Sequence, residues 1–197
     1  MKLQLGCFDK PIEGWYNTDV TPHLIIARIP LLRHVLFFLG IIDEQRYRQH
    51  REGIFKKIHY LNATKKFPFD DNSVDAIYSS QMIANFSRSQ TLFCLKECYR
   101  VLKPGSSIRI TTQDLDDWMN HYNPENPDKT LEHFYQPAVE GTKNRIHWMY
   151  NGFSLKNILE DAGFKETQEY SLGKGRCPDV HMLDYRADSI FVEGVKH

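Results

Sequence analysis

Phe67-Pro68-Phe69-Asp70-Asp71-Asn72-Ser73-Val74-Asp75-Ala76-Ile77-Tyr78-Ser79-Ser80, followed by Leu95-Lys96-Glu97-Cys98-Tyr99-Arg100-Val101-Leu102-Lys103-Pro104-Gly105, decides the fold. The first stretch reads as a turn and then a short buried strand over Val74–Ser79. Between the two, Ser87 and Gln90 have the spacing of a capping box, in which each side chain satisfies an orphan amide of the other. Leu92, Leu95, Tyr99 and Leu102 then recur at helical spacing, giving a helix with one face toward a sheet. Pro104-Gly105 stops it, because proline cannot continue a helix and glycine accepts a left-handed exit. A new strand follows over Ser107–Thr112. Strand, helix, strand without a tight hairpin is half of a doubly wound α/β sheet.

Outward from this unit, Lys2–Gly6 and Tyr16–Asp19 read as strands. The dozen residues between them, with Pro11 and Gly14, are too few for a full crossover helix. Residues 22–56 read as helical, Ile58–Asn62 as a third strand, and Phe164–Ser171 and Ser189–Val195 as two last strands. Ser154 is expected to cap a helix with Leu155, Ile158, Leu159 and Ala162 on one face, closed by Gly163. Strands alternating with helices predict a parallel sheet wrapped on both faces. The last two strands lack an intervening helix, so the final one should run antiparallel. The expectation is a single Rossmann-like α/β domain over 1–197, with a mostly parallel seven-stranded sheet whose last strand is antiparallel.

A chain of 197 residues is long enough to bury one core. Its 25 basic and 25 acidic residues balance, so nothing demands a nucleic-acid partner, which would call for a basic face. The four cysteines form no CxxC pair, and the first strand begins almost at Met1, so a reducing cytoplasm without a cleavable signal is expected. Cys94 and Cys98 should line the buried side of their helix. Leu24–Ile42 is apolar but carries Arg28, Pro30, Arg33 and His34, which a spanning helix tolerates poorly. It reads as one or two helices covering the sheet, with Pro30 at a helix start. Peripheral contact with the inner face of a membrane remains the alternative, helped by Arg46, Arg48, Arg51, Lys56 and Lys57 but diluted by Glu44 and Glu52.

The quoted stretches resemble the fourth-strand and fifth-strand region of class I S-adenosylmethionine (SAM) methyltransferases. The resemblance covers 2–20 and 57–112, and more loosely the Ser154–Gly163 helix. Within the family it leans toward the small methyltransferases associated with cell-surface polysaccharide synthesis. It implies SAM as cofactor, bound outside the carboxyl ends of the strands. Leu5-Gly6-Cys7 matches the start of the family's glycine-rich loop, and Phe8 replaces its usual next glycine. Asp19 stands where the family holds the ribose hydroxyls. Asn62, with Ala63 beside it, stands where an acid often meets adenine, and its amide oxygen could accept the same bond. Ser79 and Ser80 lead into a stretch where Gln81 and Asn85 replace frequent histidines and cannot act as bases.

On the substrate side, 114–150 (with Trp118, His121, Tyr122, His133, Phe134, Tyr135 and Trp148) and 172–188 (with Arg176, Cys177, Asp179, His181 and Asp184) follow strand ends. Loops of this length are usually lids or binding loops. The cofactor carries the difficult chemistry of methyl transfer and the protein orients the acceptor. An oxygen acceptor also benefits from a base, for which histidine suits neutral pH. His147, in a run resembling a family pattern, is the first candidate, Asp114 the second, and Tyr150 could hydrogen-bond the acceptor. His121, His133 and His147 have no short-range pair, so no metal site is expected. The reading is SAM-dependent O-methylation of a small or glycan-linked acceptor. The alternative is a catalytically silent methyltransferase fold that binds or scaffolds, for which Phe8, Asn62, Gln81 and Asn85 are the grounds. An NAD-binding domain lacks its G-x-G-x-x-G signature here.

Overall fold

The computed structural model describes residues 1–128 and 146–197. The seven strands are β1 (Lys2–Leu5), β2 (Trp15–Asp19), β3 (Ile58–Tyr60), β4 (Ala76–Ser80), β5 (Ser107–Gln113), β6 (Lys165–Tyr170) and β7 (Ser189–Val195). They form one sheet in the order β3-β2-β1-β4-β5-β7-β6. The first five are mutually parallel, and β7 runs antiparallel to both β5 and β6. The order reverses between β1 and β4, which sets Leu3 between Tyr16 and Ile77 and opens a crevice at the carboxyl ends.

Alternation along the strands sorts side chains onto two unlike faces. Leu3, Leu5, Ile77, Ile108, Ile110, Ile190 and Val192 point to one of them. There they meet α4 (Arg88–Val101) and α6 (Gly152–Asp161), which contribute Leu95, Cys98, Leu155 and Leu159. The α4 capping box forms as expected, with Gln90 N–H donating to Ser87 Oγ and Ser87 N–H to Gln90 Oε1. Cys94 and Cys98 lie on its buried side. The opposite face carries Gln4, Tyr78, Arg109 and Glu193. The nine residues between β1 and β2 supply no crossover helix to cover it. The segment after β6 does so instead: Cys177 and Leu183 seat against Trp15, Ala76 and Tyr78.

Three expectations need correction. The fourth strand begins at Ala76, two residues late, because Val74 bridges to Leu102 at the end of the α4 unit. The residue capping α6 is Asn151, whose side chain accepts from Ser154 N–H, while Ser154 Oγ accepts from Asn151 N–H. Ser154 is therefore the third residue of the helix and the inner partner of the box. The largest correction concerns 22–56, which breaks into α1 (His23–Ile26), α2 (Leu32–Phe38), α3 (Glu44–Arg51) and a 3-10 turn over Ile54–Lys57. Pro30 lies between α1 and α2 and starts neither; Leu31, in the left-handed region at φ 65°, precedes α2. α2 buries none of its residues, so it does not cover the sheet. α1 does, through Leu24 against Cys7, Phe55 and Ile58.

The 114–150 segment begins with α5 (Leu115–Asn120), which buries nothing. Residues 129–145, including His133, Phe134 and Tyr135, lie outside the described residues. The segment after β6 contains a short helix, α7 (Val180–Leu183).

Candidate functional site

A cavity of 480 Å³ opens at the carboxyl ends of β1 to β4, a volume in the range of small-molecule sites. The loop after β1 supplies Gly6 to Lys10, β2 supplies Asp19 and Val20, β3 leads to Leu61–Ala63, and the β4 end supplies Ser80, Gln81, Met82, Asn85 and Phe86. Tyr185 and Arg186 complete the wall.

Gly6 adopts φ 67°, and a Cβ there would meet the Met82 side chain at 2.9 Å. This is a position for glycine on both grounds. Phe8 is also in the left-handed region, at φ 48°, which explains why a bulky residue replacing glycine is unexpected here. Its ring leans on the Arg46 guanidinium at 4.5 Å and meets His23 edge-on at 6.3 Å. The loop thereby keeps its course, and Phe8 N–H donates to Asp19 Oδ2 at 2.9 Å.

Asp19 joins two loops: its Oδ1 accepts from Thr21 N–H at 2.7 Å. Two carboxylate oxygens offer about four acceptor sites, so one remains on each oxygen for a ligand. Asn62 differs from expectation. Its Oδ1 already accepts from Thr64 N–H and Oγ1, at 2.9 and 2.8 Å, so both lone pairs are engaged and the Nδ2 amide is what it can offer. Asp9 accepts from Arg46 at 2.6 Å and Gln49 at 3.0 Å. Burial pushes the Asp9 carboxyl up, but those bonds outweigh it and hold the group below the usual range. Burial, with Asp19 adding, pushes the Cys7 thiol far up, so Cys7 is a neutral wall residue rather than a nucleophile.

The far wall is held from a distance. Arg109, fully buried on β5, donates through Nε to Asp184 Oδ1 at 2.9 Å and through Nη1 to Glu193 at 2.8 Å. Glu193 accepts from Arg176 N–H and Cys177 N–H, and Asp184 from Gly173 N–H. Burial works against the guanidinium charge, but the two carboxylates hold its pKa above the ordinary value. This triad pins 172–184 and delivers Tyr185 to the cavity, where Lys10 sits 3.8 Å over its ring. The sequence flagged Asp184 and Cys177 as overlying the pocket; both are structural, while Tyr185 and Arg186 line it.

Of the expected cofactor residues, Gly6, Cys7, Phe8, Asp19, Asn62, Ala63 and Ser80 line the cavity. Ser79 is buried within β4 and does not. None of the three catalytic candidates is among the lining residues. Tyr150 is 1 % exposed within the main core, and burial pushes its phenol up. Asp114 caps α5, accepting from Asp116 N–H at 3.0 Å. His147 is exposed, with its backbone N–H on Ala84 O at 2.7 Å, one residue from cavity-lining Asn85.

The strand order, the reversed last strand and the crevice at the switch point together define the class I methyltransferase fold. Residues 39–110, just over a third of the chain, match the methyltransferase domain family. The chain is 26% identical over 153 residues to the ubiquinone/menaquinone biosynthesis C-methyltransferase UbiE of Escherichia fergusonii, covering 70% of this chain and 59% of that protein. It is 30% identical over 115 residues to the chloroplastic 2-phytyl-1,4-beta-naphthoquinone methyltransferase of Arabidopsis thaliana, covering 55% of this chain and 43% of that one. The chain thus spans about half the length of these curated relatives. A SAM-dependent methyltransferase of Thermotoga maritima superposes with a TM-score of 0.56 at 15% identity, over all of this chain and 82% of the other.

Proposed function

We propose that the chain binds SAM in the β1–β4 cavity and transfers its methyl group to a small or glycan-linked acceptor, at oxygen. The observation that supports this most is the pairing of Gly6, closed down on by Met82, with an Asp19 carboxylate that still has acceptor capacity on both oxygens. SAM supplies an electrophilic methyl on a sulfonium. Gly6 leaves room for the methionine end, Asp19 accepts from the ribose hydroxyls, and the Asn62 amide donates toward the adenine ring. Leu61, Ala63 and Met82 exclude water around it. His147 is the first candidate base and Asp114, whose Oδ1 accepts from the Asp116 amide, the second; Tyr150 is buried in the core. The glycan-linked acceptor rests on the family resemblance. A ring carbon of a quinone-like acceptor is the second reading, favoured by the named activities of the two curated relatives.

Calorimetry with SAM and S-adenosylhomocysteine tests the cofactor assignment. Micromolar binding is expected, and Asp19→Ala should weaken it about 10- to 100-fold, the range for hydrogen bonds to a charged group, while the protein stays folded. Equal affinity in that variant would remove Asp19 from the ribose. No binding at millimolar SAM would leave the silent, scaffolding fold as the reading.

A further inference from the structure

We propose that α2 and its flanks dock on a bilayer containing anionic lipids. Leu31, Val35 and Phe38, spaced to share one face of a helix, all point to solvent, and Leu39 and Ile41 extend the patch. Phe38 is 89 % exposed. The helix is anchored by its other side, where Phe37 stacks on Tyr47 of α3 at 4.5 Å and His34 meets the Tyr47 hydroxyl at 2.9 Å. An exposed apolar patch of this kind marks an interaction surface.

Charge selects the occupant. Residues 23–57 carry seven basic and three acidic side chains in a chain whose total is zero, and 23–42 contain no acid. Arg28, Arg51, Lys56 and Lys57 are exposed and, among the described residues, have no carboxylate partner. A second copy of the chain would bring two such net-positive segments together. Anionic headgroups complement the charge and acyl chains the apolar face, which is the interfacial-helix arrangement. At about 1.5 Å per residue, the seven residues of α2 are far too short to cross, and no helix among the described residues is long and apolar enough to do so. Docking also orients the cavity, because Arg46 and Gln49 of α3 grip Asp9 in the loop after β1. The inference is independent of methyl transfer.

The test is flotation of the full chain with phosphatidylcholine vesicles with and without phosphatidylglycerol. The protein should float with the anionic vesicles only. Arg28→Gln should weaken binding about fivefold, the worth of one cation near a charged surface. Phe38→Ser should weaken it about tenfold or more, with the melting temperature unchanged as a check on folding. Failure of the wild type to float would overturn the proposal, as would equal flotation of Phe38→Ser. A dimer in solution that Phe38→Ser dissociates, without vesicle binding, would assign the patch to a second copy instead.

Discussion

The Arg109 triad and the α2 helix break the burial rule in opposite directions. One places three charges in the core, the other leaves hydrocarbon in water. The triad is complete within the chain: Arg109, Asp184 and Glu193 satisfy one another and three backbone amides besides. A fully partnered buried network fixes geometry, here the position of Tyr185, more than it adds stability. α2 has no such internal answer among the described residues, and its apolar face is where something outside the chain would act.

The largest effect should come from breaking the triad. Arg109→Met leaves two buried carboxylates without their counter-charge and should destabilise the fold by about 3–5 kcal/mol, measured by urea unfolding. An effect below 1 kcal/mol would mean the triad merely decorates the sheet.

An intermediate effect is expected where α3 meets α1. Burial pushes the His50 imidazole down to about 4, and His23, Arg33 and Arg46 add repulsion to its charged form. His23 Nδ1 lies 3.0 Å from His50 Nε2. A folded-state value below the unfolded one of about 6.5 means that the folded state favours neutral His50. The stability tied to neutrality is complete above pH 6.5 and is lost as pH falls toward 4. Melting curves across that window should drop more steeply for the wild type than for His50→Gln. Parallel curves would show that this junction tolerates charge as the triad does.

The smallest effect should be at α2 itself. Phe38→Ser should change unfolding free energy by no more than about 0.5 kcal/mol, as for other surface substitutions. A large loss would show that the face is covered within the chain after all, and would erase the contrast.

How much was legible follows the range of the interactions. The Ser87–Gln90 box, the Pro104-Gly105 stop and the buried Cys94 and Cys98 are local events, written within one or two turns. That Gly6 and Asp19 line the cavity was legible because strand ends at a switch point meet whatever the topology dictates. Asn151 was missed because Asn and Ser both cap helices and only geometry tells the outer partner from the inner. The triad could not be read, since Arg109 finds its partners 75 and 84 residues away. Asp114 and Tyr150 were read from position alone; that Asp114 caps α5 and that Tyr150 sits in the core are not visible without neighbours.

The sequence by itself determined the α/β alternation, the antiparallel last strand and the strand-end residues around the cavity, because periodicity, capping and breaking act along the chain. Tertiary structure decided which side chains those positions engage and which apolar surfaces are covered. It left α2 facing outward although its composition resembles that of a core helix. Hydrophobic spacing defines a face, but only the surrounding packing determines whether that face meets protein or solvent.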